Sequence, residues 1–262
     1  MLTRPAVQGT AVAGGDVSVT IADGIGTISF SHPKSNSLPG ALLRRLAEAI
    51  TWLGKDPAAR VIVLRSEGNG PFCAGASFDE LVSIANVSEG TEFFSGFARV
   101  ILAMVRAPKF VLVRVHGRTA GGGVGIVAAG DYSFAVRGAS AKLSELAVGI
   151  GPFVVGPVIE RRIGCGAYAA MAVDADWRDA DWGERHGLYA RVFDDVALMD
   201  AEVNALAGTL AASNPAAMEA MKRVFWTGTE EWETLLPARA KVSGTLVLSD
   251  FTRAAIAKFR AR

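Results

Sequence analysis

Cysteine is nearly missing from this chain: Cys73 and Cys165 are the two among 262 residues. Two thiols without metal-type spacing cannot build a disulfide framework, and they point to a reducing, cytoplasmic setting. Histidine is as sparse. His32, His116 and His186 are far apart and no H-E-x-x-H occurs, so a zinc centre has no ligand set. Long apolar runs are absent as well, since the longest uncharged stretches, residues 119–130 and 146–159, are too short and too rich in Gly or Pro to span a bilayer. The net charge of +1 leaves no basic field for nucleic acid or an anionic membrane. No repeat of solenoid period occurs, and residues 1–16 lack the apolar stretch of a secretory signal.

What is present is an ordinary globular balance, 50% hydrophobic and 20% charged, long enough for a full core. Residues 1–16 read as a flexible leader. Residues 17–21 and 26–30 are strand-like, and Asp23-Gly24 between them signals a hairpin. After the loop 32–37, Ser37 is placed to cap a helix with Pro39 in its first turn. Leu38, Leu42, Leu46, Ala49, Ile50 and Leu53 keep the helical period, and Gly54 ends it. Strand-length runs at 60–65, 110–115 and 132–136 alternate with helical segments such as 92–105, which predicts an α/β protein with largely parallel pairing. From residue 200 onward the pattern is helical, over 200–212, 215–226 and the remainder. The domain reading is therefore a core at 17–199 followed by a helical region at 200–262.

Two small-residue turns each follow a strand: Pro71-Phe72-Cys73-Ala74-Gly75-Ala76, and the stretch from His116 through Gly121-Gly122-Gly123 to Gly125. Neither carries side chains that would keep a ligand off the backbone. Brought together, such turns can aim two N–H groups at one oxygen. Glu145 is the candidate for proton chemistry. Gly123-Val124-Gly125-Ile126-Val127-Ala128 also fits G-x-G-x-x-A, but only about seven residues separate it from the next strand and Glu145 lies past that strand's end, so a dinucleotide site is rejected. Gly75-Ala76-Ser77-Phe78-Asp79 lacks the last Gly of a nucleophile elbow. His116 reads as a turn residue, Asp131 as a structural hydrogen-bonder and Cys73 as a small packing residue. The basic side chains Arg253, Lys258, Arg260 and Arg262 read as a solvated tail.

Pro33-Lys34-Ser35-Asn36-Ser37-Leu38, the run from Asp56-Pro57 to Leu64, Phe72-Cys73-Ala74-Gly75-Ala76, Ala120-Gly121-Gly122-Gly123 and Ala129-Gly130-Asp131 occur in an order and spacing that resembles the enoyl-CoA hydratase/isomerase (crotonase) superfamily. The resemblance covers about residues 17–195. It implies a spiral of ββα units, a C-terminal helical trimerisation region, a homotrimer or dimer of trimers, and an acyl-CoA thioester substrate. Coenzyme A would enter as part of that substrate, with no further cofactor. Gly-Val-Gly at 123–125 and Leu-Ser-Glu at 143–145 look more like the methylglutaconyl-CoA and terpenoid-acyl-CoA hydratase branch.

Carried over by position, the oxyanion donors would be the N–H groups of Ala74 and Gly122, with Glu145 as the acid/base. Lys34, Ser35, Ser37, Ala76, Gly121 and Gly125 would line the substrate, and segment 76–106, with Phe93, Phe94 and Phe97, would border the acyl site. Fixed donors that favour a thioester enolate lower the barrier by on the order of 3 kcal/mol each. Burial among Leu143, Leu146 and Val148 would raise the Glu145 pKa from about 4.3 toward neutrality. Hydratases of this family carry two glutamates, and here Gly125 stands at the first position. The leading reading is an enoyl-CoA hydratase. A Δ3,Δ2-enoyl-CoA isomerase is the alternative, because shuttling one proton needs one carboxylate. A non-catalytic acyl-CoA-binding or assembly protein is the rival from another class. A second polar group beside Gly125 would favour water addition, and an apolar wall there would favour proton shuttling.

Overall fold

A hairpin opens the fold, β1 (Asp16–Ala22) paired antiparallel with β2 (Ile25–Ser31). Asp23 (φ 51°) and Gly24 (φ 78°) both adopt the left-handed conformation that a two-residue turn between twisted strands requires. The computed structural model describes residues 14–260, so the expected leader lies outside the described residues as far as position 13.

The elements that follow are α1 (Gly40–Lys55), β3 (Val61–Ser66), α2 (Phe78–Ser83), α3 (Val87–Arg106), β4 (Val111–Val115), β5 (Thr119–Ala120), α4 (Gly122–Ala129), β6 (Tyr132–Val136) and β7 (Ser140–Lys142). A single 3-10 turn at Leu146–Val148 leads to α5 (Gly156–Ile163), α6 (Cys165–Asp174), β8 (Arg178–Asp179), α7 (Ala180–Arg185) and β9 (Arg191–Phe193). Four helices end the chain: α8 (Val196–Ala211), α9 (Pro215–Phe225), α10 (Trp232–Leu246) and α11 (Asp250–Arg260).

The main sheet runs β1-β2-β3-β4-β6-β9, parallel from β2 onward. β4 is buried along its whole length, as expected of a parallel strand covered on both faces. A second sheet, β5-β7-β8, carries the short strand that delivers Gly121 and Gly122. Buried Leu42, Leu43, Leu46, Ala49, Ile50 and Leu53 make one face of α1, the stripe read from the sequence.

Helix starts differ from expectation for identifiable reasons. Ser37 does not cap α1. Leu38 is drawn into an extended bridge with Ala76, so the helix begins two residues later, and Ser37 Oγ instead sits 3.0 Å from His32 Nδ1. The Gly40 N–H donates to Glu80 Oε2 at 2.7 Å, a cap supplied by α2. Gly54 lies inside α1, which continues to Lys55 and closes where the Asp56 N–H donates to Trp52 O at 3.0 Å. α3 starts at Val87 rather than 92, because the Asn86 side chain accepts from the Glu89 N–H at 3.0 Å while Glu89 reaches back to the Ala85 N–H at 2.8 Å.

Asp131 ties the C-terminal helices to the core. Its carboxylate accepts from the Val111 N–H (2.7 Å), Lys222 Nζ (2.7 Å) and Trp226 Nε1 (3.0 Å). Lys222 is buried and also donates to Met104 O and Lys109 O, each at 2.7 Å. Every proton of that ammonium is therefore used, which a buried cation requires. The structural role read for Asp131 holds.

Candidate active site

The two small-residue turns are zipped together. The Cys73 N–H donates to Arg118 O at 3.2 Å, and the Ala120 N–H donates to Cys73 O at 2.8 Å. Gly75 (φ 84°) is needed at the crossing, because a Cβ there would stand 2.8 Å from Ala120 O and 3.5 Å from Gly122 N. Gly122 is the first residue of α4, so its N–H has no intrahelical acceptor and lies at the positive end of the helix.

The second donor expected from family position is already engaged. The Ala74 N–H is committed to Ser35 O at 3.1 Å. In the bridge between Leu38 and Ala76, Leu38 bonds the residues flanking Ala76: its N–H donates to Gly75 O (2.8 Å) and its carbonyl accepts from the Ser77 N–H (3.3 Å). That pattern turns the Ala76 N–H away from Leu38, and it has no partner among the described residues. The open pair of donors is Ala76 and Gly122.

Both face a cavity of about 550 Å³, open solvent at its mouth included, which Ala74, Gly121 and Glu145 also line. Its walls are apolar, from Phe78 and Leu81 of α2, Phe94 and Phe97 of α3, and Val148, Ile150, Phe153 and Val155 of the segment after Glu145. Phe97 presses on Gly122, where a Cβ would lie 2.2 Å from its ring. Phe93 is buried beside Phe94 and Phe97 without lining the cavity.

Glu145 is held by backbone. Its carbonyl accepts from the Val148 and Ile150 N–H groups at 3.2 and 2.9 Å, which fixes the turn. The carboxylate lies beside Gly121, the neighbour of Gly122, since a Cβ on Gly121 would be 3.2 Å from Glu145 Oε1, and Oε2 is buried without a partner. Burial pushes its pKa up to about 7, against a smaller opposing pull from the backbone N–H groups of Glu145 and Ser144. From the far side Phe251 and Thr252 of α11 pack on Gly149 (φ 78°), closing the loop that carries it.

Gly125 does not reach the cavity. A Cβ there would lie 2.6 Å from both Cβ and Cγ1 of Val155, so the place of a first carboxylate is filled by an apolar side chain. Lys34, Ser35 and Ser37 line a second cleft with Ala74, Ala76, Phe78 and Asp79, and the two alanines and Phe78 also line the inner cavity. Lys34 is exposed and ion-pairs with Asp79 across that cleft.

Other candidates do not join the site. His116 is buried, and burial together with Arg114 and Arg65 pushes its pKa down, so its ring is neutral. Burial pushes the Cys73 thiol up to about 12, and it packs where a Gly123 Cβ would be, as an inert protonated group. Among the described residues no cluster of His, Cys, Asp or Glu could hold a metal, and no helix is long and apolar enough to cross a membrane. Val155 and Ser243 (of α10) are lining residues that sequence reasoning missed.

Two backbone N–H groups without partners, one buried carboxylate of raised pKa and largely apolar walls thus meet in one cavity. The profile of the enoyl-CoA hydratase/isomerase family matches residues 20–247, and the chain belongs to that family. It is 32% identical over 132 residues to a (7aS)-7a-methyl-1,5-dioxo-2,3,5,6,7,7a-hexahydro-1H-indene-carboxyl-CoA hydrolase of Rhodococcus jostii, covering 50% of this chain and 51% of that one. The chain thus spans about half the length of that relative. It is 30% identical over 199 residues to the mitochondrial methylglutaconyl-CoA hydratase of Rattus norvegicus, covering 74% of this chain and 63% of the relative. The fold is that of an enoyl-CoA hydratase from Bacillus halodurans, with a TM-score of 0.84 and 19% identity over 92% of this chain and 99% of the other.

Proposed function

We propose that this chain acts on acyl-CoA thioesters through an enolate, and that it isomerises 3-enoyl-CoA to 2-enoyl-CoA with Glu145 as its one acid/base. The thioester oxygen would sit between the Ala76 and Gly122 N–H groups. The Glu145 carboxylate takes a proton from C2, the electron pair spreads over C2, C4 and the thioester oxygen, and the same proton returns at C4. No net atom is gained or lost, and no cofactor beyond the coenzyme A of the substrate is called for. Donors fixed before the charge appears lower the barrier without reorganisation. A carboxyl titrating near neutrality can both accept and return a proton.

Val155 is the observation that carries this reading. Hydration needs a second group to hold water opposite Glu145, and beside Gly125 stands a valine. The raised pKa and unpartnered oxygen of Glu145 speak against a merely binding role. A turnover panel of 3-enoyl- and 2-enoyl-CoA esters tests it. Isomerisation should exceed hydration, and Glu145→Ala should lose roughly 10²- to 10⁴-fold in rate. Faster hydration than isomerisation overturns the assignment, and binding without any turnover supports the non-catalytic alternative.

The same reading includes assembly as a homotrimer or dimer of trimers in the cytoplasm. Met221, Val224 and Phe225 leave an exposed apolar face on α9, larger than isolated surface residues explain, and the two cysteines are unpaired. Sedimentation equilibrium should return a multiple of three chains, and a monomer would remove this part of the reading.

A further inference from the structure

α10 crosses α3 at unusually close range. A Cβ on Gly90 would lie 2.8 Å from Gly244 Cα and from Gly244 O, so the two helices touch backbone to backbone. This contact places Ser243, the neighbour of Gly244, against the inner cavity, which it lines. One turn earlier on α10, Arg239 reaches Phe153 O at 3.5 Å and so holds the helix over the loop that supplies Phe153 and Val155.

Ser243 is 1% exposed, yet its hydroxyl has no hydrogen-bond partner among the described residues. A serine inside a helix ordinarily bonds the carbonyl four residues back. Other helical hydroxyls here do so: Thr51 to Ala47 O (2.7 Å), Thr91 to Val87 O (2.7 Å), Thr209 to Ala205 O (3.0 Å) and, two residues along from Ser243, Thr245 to Lys241 O (2.9 Å). Ser243 forgoes that bond and lines a cavity whose side-chain walls are mostly Phe, Leu, Ile and Val. A hydroxyl that lines a largely apolar cavity and is bonded to no described residue becomes a point of selection when a ligand satisfies it.

Its position says which part of a ligand it meets. Phe97 touches Gly122 while Gly90 touches Gly244, and these two residues of α3 are two helical turns apart, about 10 Å. Ser243 therefore meets the cavity toward the Gly90 end of α3, away from the place where the Phe97 side chain springs from the helix. It faces the remote part of the acyl group.

Resting on the acyl-CoA reading above, we infer that Ser243 is a specificity residue that donates a hydrogen bond to an oxygen carried far along the acyl group. The preferred substrates are then acyl-CoA esters with a remote carbonyl or hydroxyl rather than plain alkyl chains. Equilibrium titration with two unreactive saturated esters, octanoyl-CoA and 7-oxo-octanoyl-CoA, tests this on the intact protein. The native chain should bind the oxo ester about three- to tenfold more tightly, the range of one net hydrogen bond. Ser243→Ala should erase that preference and leave octanoyl-CoA binding within about twofold, because alanine is the better helix former and the fold is kept. Equal binding of both esters by the native chain overturns the inference, whatever the variant does. A preference that survives Ser243→Ala overturns it as well. A native chain that binds neither ester sinks the acyl-CoA reading instead.

Discussion

Glu145 is an acid that the fold keeps out of water and leaves half unsatisfied. With its pKa pushed up to about 7, the pH dependence has a definite sign. In the proposed isomerisation Glu145 is the base that removes a proton from C2, so it must be ionised in the free enzyme. The kcat/KM for a 3-enoyl-CoA should therefore rise through about pH 7 and level above it, and Glu145→Gln should give a low, flat profile. Stability moves the other way. Between its ordinary value of 4.5 and about 7 the folded chain holds a proton that the unfolded chain has lost, so this group's contribution is present at low pH and fades as pH rises through 7. Glu145→Gln should abolish that slope in urea titrations run from pH 5 to 8. The place of Glu145 on the cavity wall was legible because Leu143-Ser144-Glu145 stands in family order behind two glycine turns. Which alanine offers its N–H was not, because the acceptor that occupies Ala74 is Ser35 O, from a loop nearly forty residues upstream. Val155 was equally hidden, since an ordinary valine gains meaning only from the glycine it faces.

At the level of elements, the α3–α10 crossing depends on two glycines that no helix propensity would choose. Gly244→Ala gains about 1 kcal/mol of helix preference. It also places a Cβ 2.5 Å from Thr91 N and 2.8 Å from Gly90 C, backbone atoms that cannot rotate away. Overpacking of this kind costs roughly 1–3 kcal/mol, so a net loss is expected. The melting temperature should fall, and a rise would mean the helices do not touch as described. The strands were the most readable elements because apolar runs bounded by turns leave little choice. Helix ends were less so. The start of α1 is set by Leu38 pairing with Ala76, and the cap on Gly40 comes from Glu80, contacts that no local pattern carries.

For the whole molecule, Asp131 and Lys222 connect the start of β4, the end of α3 and the C-terminal helices through one buried ion pair. Burial pushes the Lys222 pKa down and Asp131 draws it back up, so the cation depends on its partner. Asp131→Asn should cost roughly 3–5 kcal/mol in denaturant unfolding, because it strands a buried charge. Asp131→Asn combined with Lys222→Met should lose less than Asp131→Asn alone. A double variant as unstable as the sum would show that the pair is not coupled. The helical character of the last sixty residues was plain from the sequence; their attachment was not, because it rests on one lysine among many.

Packing of Phe251 and Thr252 on Gly149 also orders events in time. Translation delivers the glycine turns and Glu145 more than a hundred residues before α11, so a growing chain can assemble its sheet and both donors while the loop behind the carboxylate still faces water. The turn that carries this buried group is packed from behind only after α11 has been made. A chain cut before α11 should therefore keep both glycine turns and lose the packing behind Gly149.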